Sequence, residues 1–163
     1  MNVLHPPFVH FVVALPVAAL FAQLTFLATK ERTYAKVSLR ILAFTLLMGV
    51  FAYFTGEIDA EKIQAAQTMV PGGIQALEAH QSFAFWVLAI LFATIVIKWI
   101  AAAKESLSWE KLALGMILLS IAATLYQGNK GGSLVYKYAA GIDSKILKQR
   151  TQNSSLNPKQ TKE

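Results

Sequence analysis

Four apolar stretches, each about as long as a lipid bilayer's hydrocarbon core is thick, leave this chain few ways to fold. They cover residues 8–28, 37–55, 80–97 and 112–127, with the charges gathered between them. The first carries no charge, and the second is interrupted only by Arg40. A hydrocarbon core of roughly 30 Å takes about 20 residues of helix to cross. With their flanks counted, the third and fourth stretches reach residues 78–100 and 110–127. Backbone amides in lipid have no water to bond, so each stretch is expected to be helical. Only 15% of the residues are charged and 55% are apolar, against about 25% charged in a soluble domain. The expected fold is all-α: a polytopic four-transmembrane-helix bundle over residues 1–150. Residues 151–163 are polar and are expected to be a disordered tail.

The connections set the topology. Pro6 and Pro7 suit a first helical turn, and Pro16 should kink the first span. The segment at 29–36 is short and basic. Residues 56–79 read as a long loop holding Glu57, Asp59, Glu61, Lys62 and Glu78, with a short surface helix at 58–69 and a break at Pro71-Gly72-Gly73. The third connection, 101–111, is short. Gly128-Asn129-Lys130-Gly131-Gly132-Ser133 reads as a close turn after the fourth span, with residues 134–138 packing back on the bundle. The two short connections hold Lys30, Arg32, Lys36, Arg40, Lys98, Lys104 and Lys111, against Lys62, Lys130, Lys137 and Lys145 opposite. The positive-inside rule then puts both termini outside the cytoplasm, with no signal peptide evident.

Composition excludes several classes. The net charge is +6, but the basic residues sit in loops and tail, with no basic stripe for nucleic acid. Their reading is topology and contact with anionic lipid. There is no cysteine, so disulfides, iron–sulfur ligation and covalent c-type haem are out. No nucleophile–base pair or paired carboxylate lies within the bundle, so the chain is not expected to be an enzyme on its own.

The three histidines carry what chemistry there is. Spans one and three run the same way, so His5, His10 and His80 share one membrane face. His10 and His80 sit at similar depth and are placed to hold an iron from opposite sides, as in a b-type haem within a helix bundle. Gly49 and Gly56 lie on one face of the second helix and admit a flat macrocycle or a neighbouring helix. Lys130 and Lys137 are candidates for haem propionates, and Gln81 or Asp59 for the second ring nitrogen of a ligand. The blander reading gives the histidines hydrogen bonds between helices, the glycines plain packing and the acidic residues a solvated loop. Trp86, Trp99 and Trp109 read as interfacial aromatics.

His5-Pro6-Pro7-Phe8-Val9-His10-Phe11 resembles the His-Pro-x-x-Val-His-Phe opening of a bacterial membrane-protein family called domain of unknown function 2231. So do Gly56 with Asp59, the histidine opening the third span, and Gly131-Gly132-x-Leu134-Val135-Tyr136-x-x-x-x-Gly141. The resemblance covers residues 5 to about 142. It implies a four-helix membrane domain, at times near or fused to redox proteins, and no established activity. The chain departs from the pattern at Val12-Val13, where the family has Pro-Ile, and at Phe83, where a polar residue is expected.

The leading expectation is a bacterial inner-membrane protein that binds one haem b near the outer face and exchanges electrons with a partner. His10, His80, Gly49, Gly56, Lys130 and Tyr136 are its candidate cofactor contacts. One alternative is a copper or zinc site built on His10 and His80 with His5 and Asp59. The other is a non-catalytic subunit of a membrane complex. The expected partners are the bilayer, a redox or membrane protein, and a second copy of the chain.

Overall fold

A computed structural model describes residues 4–67 and 69–142. It contains four helices: α1, His5–Thr29; α2, Arg32–Ala66; α3, Gly73–Lys104; and α4, Leu107–Tyr138. All four are long and apolar enough to cross a membrane. The tail at 151–163 and Lys145 lie outside the described residues.

The helices form an antiparallel ring. Each packs on its sequence neighbours, α4 closes on α1, and the diagonal pairs α1/α3 and α2/α4 stay apart. Side chains are arranged inside out relative to a soluble bundle. Phe21, Phe54, Phe92 and Trp99 are each at least 60% exposed, whereas Ala19, Ala35, Ala101 and Ala113 are buried. Lipid is as apolar as leucine, so membrane helices associate through close packing of small residues and polar contacts, not through burial of large ones. Most buried polar side chains follow that rule: Ser38, Thr45, Thr94, Ser120 and Thr124 sit between helices. Ser38 donates to the Ala19 carbonyl across α1 and α2 at 3.0 Å, and Thr94 shares a 2.9 Å hydrogen bond with Ser120 across α3 and α4. The centre of the bundle is apolar, built on Val12, Ala52, Val87, Leu91 and Ala123.

Two expected breaks are absent. α2 does not stop near Thr55 but runs unbroken to Ala66 through what reads as an acidic loop. α4 runs through Gly128, Gly131 and Gly132 to Tyr138. A glycine in a helix interior costs only about 1 kcal/mol against alanine, and the extended ends recover it by packing. Ala60 of α2, Leu77 of α3, Leu134 of α4 and Ala140 form a small core of their own beyond the central one. At 35 residues, α2 is about 52 Å long, well beyond a hydrocarbon core of roughly 30 Å. This end of the ring therefore stands clear of the membrane interior.

Each of the four helices ends on a non-glycine residue in the left-handed region: Lys30, Gln67, Glu105 and Ala139. At Ala139 (φ 56°) the following amide, Ala140 N–H, closes on the Leu134 carbonyl at 3.0 Å. Alanine there carries a left-handed penalty of about 1 kcal/mol that glycine avoids. Ala139→Gly should therefore raise the thermal midpoint in detergent, and a lowered midpoint would show that the turn does not hold this shape.

Candidate functional site

The site is built on the first turn of α1. A helix start leaves four amides without partners, here those of Leu4, His5, Pro6 and Pro7. The prolines have no N–H. The other two amides donate to one carboxylate oxygen of Asp59, at 2.7 Å from Leu4 and 2.9 Å from His5. Asp59 is buried and its other oxygen pairs with Lys62 at 3.2 Å. It can do this only because α2 continues past Gly56. The acidic residue that reads as loop is thus the cap of another helix.

Capping places the His5 ring on α2. Its Nδ1–H donates to the Ala52 carbonyl at 2.7 Å, which leaves Nε2 as the lone-pair nitrogen. The ring lies where a side chain at residue 56 would be: a Cβ on Gly56 would stand 3.0 Å from His5 Nδ1. His80 repeats the arrangement on α3 and α4. A Cβ on Gly131 would stand 3.2 Å from His80 Cε1. The Gln127 amide donates to the His80 carbonyl at 2.8 Å and makes a longer 3.3 Å contact to His80 Nε2. His80 Nδ1 is buried without a hydrogen-bond partner, as is Gln127 Oε1. The glycines that read as a turn or a haem cradle are the recesses for two imidazoles.

His5 and His80 meet across the bundle diagonal, their ring centroids 6.3 Å apart and their planes at 87°. They stand in a cavity of about 890 Å³, mostly apolar, whose lining also includes Gly49, Gly56, Thr124 and Gln127. Glu57 and Gln81, bonded to each other at 3.1 Å, lie on the same wall.

The remaining sequence candidates fall around this pair. His10 lines the cavity but is exposed, with Nδ1–H turned back to the Pro6 carbonyl at 2.6 Å. Five residues at 100° each put His5 and His10 about 140° apart on α1, so both cannot face the bundle axis. Gly49 lines the cavity and also packs on α3, with Leu88 Cδ2 at 2.9 Å from its Cβ position. Tyr136 lines the cavity rim and is 90% exposed. Lys130 and Lys137 do not line this cavity; they lie in a separate groove of α3 and α4. Among the described residues no three His, Cys, Asp or Glu side chains are grouped for a metal ion.

A second polar node, not foreseen from the sequence, lies at the other end of the ring. Each helix contributes one residue: Gln23, Arg32, Lys98 and Glu110. Lys98, which reads as a loop charge, is fully buried with Glu110 and donates to its Oε2. Gln23 donates to the Glu110 carbonyl at 3.0 Å and to Oε2 at 2.9 Å. Arg32 stands 3.7 Å from Oε1 and donates to the Glu105 carbonyl at 2.6 Å. The Phe26 ring faces both cations, at 5.4 Å from Arg32 and 5.5 Å from Lys98. The available signal was one charge of each sign near the α3–α4 turn at 105–106, with Lys98 seven residues before it and Glu110 four after it.

No curated protein and no solved structure matches the chain. A family model described as "Predicted membrane protein (DUF2231)" matches residues 2–144, which takes in all four helices, the histidine pair and its cap. The chain belongs to that family of membrane proteins.

Proposed function

We propose that this protein is an electron carrier of the bacterial inner membrane with one b-type haem in the cavity, which His5 and His80 would hold by its iron. The observation that carries the reading is the histidine pair. The two imidazole centroids stand 6.3 Å apart, so that one bound metal could be reached from both rings. A bare copper or zinc ion would satisfy that spacing too. The cavity of about 890 Å³ favours an organic cofactor, for which sites of about 300–1,000 Å³ are usual. His10, first in line by depth, becomes a rim residue.

When bound, the haem supplies a one-electron iron couple. The chain supplies the rest. Ala52 O fixes the tautomer and direction of His5, which is how ligating imidazoles are normally held. Asp59 holds the turn from which His5 projects. Gln127 bonds the His80 carbonyl at 2.8 Å and steadies the segment from which His80 projects. A haem held by two histidines would be suited to electron transfer over oxygen chemistry. The loops at 30–31 and 105–106, flanked by Arg32, Lys36, Lys104 and Lys111, face the cytoplasm by the positive-inside rule. On that reading the cavity end of the bundle faces outward, where a redox partner would exchange electrons.

Titrating haemin into the purified protein in detergent tests this. One equivalent should bind with the spectrum of a six-coordinate low-spin haem, and His10→Ala should bind as the wild type does. If the folded protein shows no saturable uptake, the histidines are hydrogen-bonding residues of a structural subunit.

A further inference from the structure

The groove that holds Lys130 and Lys137 has its own chemistry. It encloses about 250 Å³ and shares no lining residue with the histidine cavity. Lys130, Ser133 and Lys137 fall three and four residues apart, so they share one face of α4. Ala76 and Ala79 of α3 form the opposite wall, with Asn129 beside the first lysine. The polar side chains here all carry hydrogen-bond donors, and no carboxylate is among them. Arg32, Lys62 and Lys98 have acidic partners, but among the described residues no carboxylate lies within ion-pair distance of Lys130 or Lys137. Lys130 Nζ stands 5.3 Å over the Tyr126 ring, which steadies the charge without neutralising it.

Depth narrows the ligand. The apolar run of α4 begins at Leu112, next to Lys111 at the opposite interface. Lys130 is about 27 Å further along the helix, close to the hydrocarbon thickness of roughly 30 Å. The ammonium groups therefore stand at the level where lipid phosphates lie. Two ammonium groups at that level attract an anionic head group by charge, and lysine binds phosphate as a point charge.

We propose that this groove binds the phosphodiester of an anionic lipid, with Lys130 and Lys137 on its charge and Ser133 and Asn129 donating to its oxygens. The proposal does not rest on the haem reading. The test is native mass spectrometry of the full chain, delipidated and then offered phosphatidylglycerol or phosphatidylcholine. Wild type should retain phosphatidylglycerol preferentially. The Lys130→Ala/Lys137→Ala double variant should bind it about thirtyfold more weakly, about fivefold for each lysine lost. Lys104→Ala, at the other end of the bundle, should bind as wild type. A double variant with wild-type preference, or an equal loss in Lys104→Ala, would overturn the proposal. So would displacement of the lipid by excess inorganic phosphate, which would assign a site for a free anion. Circular dichroism of the double variant distinguishes loss of the site from loss of the fold.

Discussion

Replacing Glu110 by alanine should destabilise the bundle by about 3–5 kcal/mol, the cost of leaving a buried charge without its partner. Lys98 would be stranded with no exposed surface, and Gln23 and Arg32 would lose their shared acceptor. All four helices meet at this residue, so the loss is not confined to one contact. The Lys98→Met/Glu110→Met double variant removes both charges at similar volume and should fall within about 1 kcal/mol of wild type, or above it. Unfolding midpoints in mixed detergent measure both. A double variant as unstable as Glu110→Ala would mean that the node stabilises by shape and not by charge.

Asp59→Ala should cost about 2–3 kcal/mol, because two amides at the start of α1 lose a charged acceptor in a buried setting. Asp59→Asn keeps an acceptor oxygen but not the charge, and should lose about half as much. The larger consequence is functional. His5 is held by that turn, so Asp59→Ala should weaken haem uptake even in detergent where the helices persist. Amide hydrogen exchange at residues 4–10 should accelerate in the same variant. Unchanged exchange there would remove Asp59 from the account of His5.

What was legible in the sequence follows from what each residue depends on. The four spans depend only on local apolar content, so residues 8–28 and their counterparts were readable in place. Gly56 and Gly131 were not, because a glycine that makes room for a ring is indistinguishable from a breaker until the ring opposite is known. Residues 56–69 read as a loop with a separate surface helix and 128–133 as a turn for the same reason: the packing partners that keep α2 and α4 continuous there come from one another. The similar depth of His10 and His80 is readable from the sequence, whereas the contact that turns His5 toward α2 depends on the Ala52 carbonyl and is not. Lys98 reads as a connection charge in the sequence and is buried against Glu110 in the structure, since burial is a property of the ring and not of either helix. Asp59 reads as a ligand, an orienting group or a solvated loop residue in the sequence; its work as a cap on Leu4 and His5 depends on the extension of α2.

The most direct measurement is the absorption spectrum of the protein purified in detergent from cells with ample haem, taken in air and again after dithionite. Wild type and His10→Ala should show a Soret band that sharpens and shifts on reduction, with a split pair in the visible. His5→Ala and His80→Ala should lose it. A featureless wild-type spectrum, or a band lost in His10→Ala and kept in His5→Ala, would contradict the assignment of the His5–His80 pair as the haem site.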